Sequence, residues 1–238
     1  MVNSPCKTYI IIVAAGSGNR FGSPLPKQYA MLCGKPVLVH TINSFRKALP
    51  QSRICTVLHP DYKNLWLDLW SQYGDSKEAP EIVFGGASRA ESVFNAMKHF
   101  RPEEGSAVLI HDGARPFVPE NVIRRLLDKL ATDRAAVPVL PMTDSIRQLR
   151  EGGSGAVDRS RYVRVQTPQA FRGGNLMEAY LAAEKAGLGL FTDDASVVEA
   201  VWPGCVATVD GDENIIKITH PLDLKIAELI LRGDQHYA

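Results

Sequence analysis

No apolar run near the start of this sequence is long enough to span a bilayer. The stretch after Lys7 gives way almost at once to Gly16 and Arg20, so it reads as a buried strand rather than a membrane anchor or a leader. Cysteine is scarce. Cys6, Cys33, Cys55 and Cys205 lie far apart, with no C-x-x-C pair and no Cys/His cluster at zinc spacing. That argues against a zinc module and for reduced, structural thiols in a cytoplasmic protein. A surplus of either charge is absent too. The formal net charge is +1, which gives no bulk attraction to nucleic acid or to an anionic membrane, so any anion must be bound locally. There is no aromatic–basic patch of the kind that a nucleic-acid module needs. Internal repeats, low-complexity linkers and domain boundaries are also lacking. The 238 residues therefore read as one domain, 1–238, with room for a substantial core.

What is present is a rhythm. Tyr9 to Ala14 is a continuous β-branched run, as expected of a parallel strand buried on both faces. A helix is predicted over Val37 to Leu49, a strand over Ile54 to Leu58 and a helix over Leu65 to Tyr73. Glu81 to Phe84 reads as a strand and Ser88 to Phe100 as a helix capped by its serine. Ala107 to His111 and Ala135 to Leu140 read as strands around a helix at Glu120 to Leu130. Farther on, Asn175 to Lys185 and Asp194 to Ala200 are helical, and Val206 to Val209 and Ile215 to Ile218 are short strands. Pro221 to Leu231 closes the chain as an amphipathic helix. The pattern predicts an α/β fold with a Rossmann-like, mostly parallel twisted sheet flanked by helices. Ligands in such sheets bind at the carboxyl ends of the strands.

The rhythm breaks at about residues 142–165. Thr143 to Arg150 alternates polar and apolar residues, EGGSG follows, and AVDRSRYVRVQ comes next. Two such segments around a glycine-rich turn predict a β-hairpin. Its faces carry Arg147, Arg150, Arg159, Arg161 and Arg164. With so little apolar surface it projects as an arm, either as a mobile surface hairpin or against a second subunit.

The most informative stretch is IIIVAAGSGNRFGSPLPKQ, Ile10 to Gln28. A strand ends in glycines whose open backbone suits phosphate oxygens. Gly16, Gly18 and Gly22 miss the dinucleotide fingerprint by one residue, and Pro24 and Pro26 forbid the helix that should follow. A Walker A loop is excluded because Ser23, not lysine, follows Gly22. What remains is a long phosphate-wrapping loop armed with two cations. Arg20 suits a forked grip on an oxygen pair, and Lys27 places a compact charge on one phosphorus centre.

The order A-A-G-x-G-x-R-x-G, then P-K-Q, resembles the signature of nucleotidyltransferases with the nucleotide-diphospho-sugar transferase fold. Within that group the chain resembles the cytidylyltransferases that act on 2-C-methyl-D-erythritol 4-phosphate in the non-mevalonate isoprenoid pathway. HDGARPFV (His111 to Val118), QTPQAF (Gln166 to Phe171), TDDAS (Thr192 to Ser196) and NIIKIT (Asn214 to Thr219) follow in the family's order. The resemblance covers essentially the whole chain. It implies CTP and a sugar-alcohol phosphate as substrates, Mg²⁺ as the divalent cation, and a homodimer in which the arm completes the partner's site.

Residue by residue, the resemblance places Ala14, Ala15, Gly16 and Gly18 along the nucleotide. GGASRAES (Gly85 to Ser92) reads equally well as a helix cap or as a base pocket. By resemblance Gly86, Arg89 and Ser92 surround the cytosine, although Ala87 stands where the family often has an acidic residue. Asp112, at a strand end, would repel a triphosphate unless Mg²⁺ intervened; its plainer role is to cap the following turn. Gly113 and Ala114 let the backbone approach the nucleotide. Arg115 either binds ligand or pairs with Asp112, and His111 reads as structural. Ser145, Arg147 and Arg159 come from the arm, and by resemblance Arg159 and Lys217 aim the acceptor phosphate. Ser145 and Arg147 replace the family's usual Thr and Lys. Asp212 is a weaker candidate for substrate hydroxyls or metal. TDDAS reads as a helix start capped by Thr192 that braces the pocket or the arm.

The implied reaction is attack of a phosphomonoester oxygen on the α-phosphorus of CTP. A phosphate dianion is already nucleophilic, so no general base is needed. The resource required is positive charge, from Arg20 and Lys27 above all. Two other readings share the loop: a ribitol-5-phosphate cytidylyltransferase, and a non-catalytic nucleotide-binding regulator.

Overall fold

The computed structural model describes residues 7–16, 21, 25–76 and 78–233; Cys6 lies outside them. Strand β1 (Thr8–Ala14) is followed by β2 (Met31–Leu32), β3 (Lys35–Pro36) and helix α1 (Val37–Ala48). Then β4 (Arg53–Leu58), α2 (Lys63–Tyr73), β5 (Glu81–Phe84), α3 (Arg89–Phe100), β6 (Ala107–Asp112), α4 (Glu120–Lys129) and β7 (Ala135–Pro141) alternate. The arm contributes β8 (Arg147–Arg150) and β9 (Gly153–Ala156). The chain continues through β10 (Val163–Val165), β11 (Gln169–Arg172), α5 (Gly173–Ala186), α6 (Asp194–Glu199), β12 (Val206–Asp210) and α7 (Pro221–Gly233).

Eight strands make one mixed sheet in the order β10-β7-β11-β6-β1-β4-β5, with β12 also paired to β7. β6, β1, β4 and β5 run parallel, and β12 runs parallel to β7. β10 and β11 are antiparallel to their neighbours. The β-branched run of β1 takes the central place that its pattern implies, because both its faces are covered. Ile10 and Ile12 pack with Leu38, Ile42, Phe45 and Trp66 on one side. Ile11 packs with Val93, Phe94, Met97 and Tyr180 on the other. Side chains of this kind, fully withdrawn from water, contribute about 1.5–3 kcal/mol each. A smaller cluster of Leu32, Val37, Ile218 and Ala227 seats α7 beside β2. Among the described residues, no helix is long and apolar enough to cross a membrane.

Several sequence expectations need correction. The arm hairpin is tighter than its alternation implies: β9 uses the glycine-rich residues themselves, with Arg147 opposite Ala156 and Arg150 opposite Gly153. The segment expected to form its second strand instead turns at Arg159–Arg161 and joins the main sheet as β10. Ile215–Ile218 forms no strand. Its backbone is held by separate contacts: Arg115 Nη1 donates to the Ile215 carbonyl at 2.9 Å, and the Ile218 amide donates to Ala114 O at 2.9 Å. The β2–β3 hairpin and β11 have no counterpart among the sequence expectations. In that hairpin Cys33 (φ 45°) and Gly34 (φ 84°) both take the left-handed conformation that a two-residue turn requires. Cys33, Cys55 and Cys205 are free thiols.

Candidate active site

The carboxyl ends of β1, β4, β5 and β6 surround a cleft of about 540 Å³, a volume suited to a nucleotide. Its walls include Val13 to Gly16, Lys27 and Gln28, His59, Gly86 to Arg89, Ser92, Asp112 to Ala114, and Lys217. The cleft thus brings together Ala14, Ala15, Gly16, Lys27, Gly86, Arg89, Ser92, Asp112, Gly113, Ala114 and Lys217, which the sequence singled out separately. Gly18 and Arg20 lie outside the described residues. Arg159 is not on this wall among the described residues. Its guanidinium donates to the Thr143 carbonyl at the base of the arm.

Gln28 anchors the start of the glycine loop. Its buried Nε2 donates to Ala14 O at 2.7 Å and to Gly16 O at 3.0 Å. Those two bonds tie the loop's first residues to the turn Lys27–Tyr29, which holds the Lys27 side chain at the cleft. The turn after β5 is braced just as closely. Ser92 Oγ accepts the Gly86 amide at 3.1 Å and donates to Ser88 O at 2.9 Å. Ser88 Oγ accepts the Glu91 amide at 3.1 Å, and Glu91 Oε2 accepts the Ala87 amide at 2.6 Å. The stretch is therefore both a helix cap and a wall of the cleft, and the Ser92 hydroxyl is spent on holding its shape. A Cβ on Gly85 would lie 2.5 Å from Ala15 Cβ, so the close contact between the two turns requires glycine there.

Gly113 also has a packing reason to be glycine. A Cβ there would lie 2.9 Å from Ala14 Cβ and 3.1 Å from Val13 O. Its amide donates to Val13 O at 2.8 Å, and its carbonyl accepts from Thr41 Oγ1 at 3.0 Å. Packing of β6 on β1 is sufficient to account for the glycine.

Charge is concentrated on Asp112. Lys217 Nζ lies 2.9 Å and Arg115 Nε 3.3 Å from its Oδ2, while Arg89 Nε lies 3.5 Å from Oδ1. Burial alone would raise this carboxyl; Arg89, Lys217 and Arg115 together outweigh it and hold the group well below the usual carboxylate range. Behind Arg89 stands Asp194, with no solvent exposure. Its Oδ2 lies 2.7 Å from Arg89 Nη1, and its Oδ1 accepts the Tyr180 hydroxyl at 2.7 Å. Burial pushes the Asp194 carboxyl up, against the pull of Arg89 and Tyr180. A line of alternating charge therefore runs from Asp194 through Arg89 and Asp112 to Lys217. The TDDAS stretch braces the cleft through Asp194. The cap of α6 is Asp193, in a reciprocal pair with Ser196, and not Thr192. Gln169 secures the same turn, its Oε1 accepting the Asp194 and Ala195 amides at 3.1 and 3.0 Å.

Gln166 holds the segment that leads to Lys217. The Gln166 Nε2 donates to Asp212 O at 2.8 Å, and its Oε1 accepts the Asp212 amide at 3.1 Å. Asp212 itself faces a separate pocket with Lys47 and Glu120, not the cleft. Sequence reasoning left Gln28, Gln166 and His59 without roles. The first two sit in quoted motifs, so the available signal was a buried amide flanking a loop.

His111 is structural, as expected. Its Nε2 bonds to Arg115 O at 3.0 Å and its Nδ1 to Thr167 Oγ1 at 3.0 Å. Burial pushes its imidazole from 6.5 down to about 4. Between those values the unfolded chain takes up a proton that the native protein refuses, so stability rises with pH across the window. Lowering the pH from 6.5 to about 4 is expected to remove up to about 3 kcal/mol through this group. Urea unfolding above and within the window measures the loss, and His111→Asn flattens it.

Among the described residues no three His, Cys, Asp or Glu side chains gather into a metal-binding group. Asp112 is the one acidic side chain among the described residues lining the cleft. A single carboxylate suits Mg²⁺ when substrate phosphates supply the other oxygens.

The sequence matches the family described as 2-C-methyl-D-erythritol 4-phosphate cytidylyltransferase (IspD) over residues 8–233. It is 41% identical to the protein of that name from Porphyromonas gingivalis, over 94% of this chain and 98% of the relative. Identity to the Cereibacter sphaeroides protein of the same name is 44%, over 94% of this chain and 96% of the relative. Among solved structures, the 2-C-methyl-D-erythritol 4-phosphate cytidylyltransferase of Thermus thermophilus superposes with a TM-score of 0.72. It is 33% identical, over 95% of this chain and 99% of that one.

Proposed function

The chain belongs to the 2-C-methyl-D-erythritol 4-phosphate cytidylyltransferase family, and from that premise we propose how its residues share the work. It is a nucleotidyltransferase that moves CMP from CTP to 2-C-methyl-D-erythritol 4-phosphate in isoprenoid synthesis, with pyrophosphate leaving. Two anions must meet, so the barrier is electrostatic. Lys27, with Arg20, takes up the charge that grows around the α-phosphorus and the leaving group. Ala14, Ala15, Gly16 and Gly18 offer backbone donors to the phosphate chain. The turn Gly86 to Ser92 receives the pyrimidine, with Ser92 acting through the turn's shape. Gly113 and Ala114 form the floor beneath the nucleotide.

Asp112 is the residue that would hold Mg²⁺. When bound, the ion would supply positive charge to the phosphates. Lys217 rests on Asp112 in the free protein and turns to the acceptor phosphate when nucleotide enters. Arg159 reaches that phosphate from the arm of a second subunit, so the active form is a homodimer. Sedimentation is expected to show a dimer, and a fully active monomer contradicts this arrangement. Residues 1–238 act as one domain, and the free thiols suit a reducing cytoplasm.

The observation that supports this reading is the meeting of Lys27, Lys217 and Asp112 with Ala14 to Gly16 in one cleft. The test is a paired assay of pyrophosphate release from CTP. Methylerythritol phosphate is expected to support release and ribitol 5-phosphate is not. Release with ribitol 5-phosphate alone, or CTP binding without release on either acceptor, overturns the reading.

A further inference from the structure

His59 stands on the cleft wall just past the carboxyl end of β4, the neighbour of both β1 and β5. Its ring is oriented from two sides. Nδ1 accepts the Asp61 amide at 3.3 Å, capping the short turn Pro60–Tyr62. The Tyr62 ring meets it edge-on, with centroids 5.9 Å apart. Tyr62 in turn lies 5.4 Å from the ring of Tyr29, which is buried two residues beyond Lys27. This aromatic chain ties His59 to the wall that carries Lys27.

The tautomer follows from the cap. Asp61 Oδ2 lies 3.5 Å from the same nitrogen, Nδ1, without a hydrogen bond to it, so Nδ1 accepts from the amide and the neutral ring carries its proton on Nε2. Nε2 is therefore a donor. Among the described residues no hydrogen bond uses Nε2, and the side chain is 48% exposed. The cap and the Tyr62 contact leave Nε2 as an unused donor on a residue that lines the cleft.

We propose that His59 is a nucleotide-binding residue whose Nε2–H donates to a β- or γ-phosphate oxygen of CTP, beside Lys27. This rests on the functional reading above and adds a contact on the departing pyrophosphate. The phosphate chain is favoured over the base because the pyrimidine turn is built from Gly86 to Ser92, while His59 is tied through Tyr62 and Tyr29 to the lysine.

Two substitutions separate donor from cap. His59→Asn keeps an acceptor where Nδ1 stands, so the turn keeps its cap, but it removes the Nε2 donor. His59→Gln places an amide N–H near the Nε2 position and gives up the cap. Calorimetric dissociation constants for CTP and for CMP, with melting temperatures, are measured on the full chain. His59→Asn is expected to weaken CTP about tenfold, as loss of a hydrogen bond to a charged group does, with CMP unchanged. His59→Gln is expected to bind CTP within about threefold of the parent, since it keeps the donor. The opposite ranking assigns His59 to the cap alone and overturns the proposal. Equal weakening of CTP and CMP, or no weakening of either, overturns it as well. If the parent binds CTP but transfers to neither sugar phosphate, the functional reading fails while the ranking of the variants still decides His59.

Discussion

Lys27→Ala lowers turnover about a hundredfold and leaves the fold intact. The reason is that no other kind of group replaces it: the nucleophile brings its own charge, and the barrier is lowered by positive groups already in place. Removing one such donor costs about 2.7–4 kcal/mol. The main chain at Lys27 is held without the lysine head group. Gln28 and Tyr29 are buried, and the Tyr29 amide donates to Pro26 O at 2.9 Å. The melting temperature should therefore stay near that of the parent while kcat falls. A near-normal kcat rules out the role given to Lys27.

Asp194→Ala is expected to destabilise the native state by about 3–5 kcal/mol, the usual cost of removing one partner of a buried ion pair. That is a large share of a stability of about 5–15 kcal/mol. Arg89 would lose its 2.7 Å partner, and the Tyr180 hydroxyl its acceptor. Arg89 would then have only Asp112 to bind, which disturbs the carboxylate shared with Lys217. Urea unfolding of Asp194→Ala, Arg89→Ala and the double variant measures the coupling. The double variant should lose less than the sum of the singles. A loss below about 1 kcal/mol in Asp194→Ala contradicts the pairing.

The core of the fold was legible because its signals are local. The β1 run, the serine cap of α3 and the alternating strands and helices each follow from burial or capping within a few residues. β11 escaped because four residues of ordinary composition, Gln169–Arg172, enter the sheet antiparallel between β6 and β7, and only tertiary pairing decides that. Ile215–Ile218 has strand composition, but its backbone bonds go to Arg115, Ala114 and local turn carbonyls rather than to a neighbouring strand, which no period reveals. Of the site, Lys27 and Asp112 were legible by their residue types and places at or after strand ends, and Lys217 only by the family resemblance. The line from Asp194 through Arg89 to Asp112 was not, since its members lie on three elements far apart in sequence. His59 was hidden for a similar reason: a lone histidine after a strand gains meaning only when β4 is seen beside β1.

The most direct test is a crystal structure of the protein with CTP and Mg²⁺ bound. The expected result places the triphosphate along Ala14 to Gly16, the Lys27 ammonium in contact with its oxygens, and Lys217 released from Asp112. Nucleotide bound in the cleft with Lys27 turned away, or bound elsewhere on the surface, contradicts the assignment of positive charge as the catalytic resource.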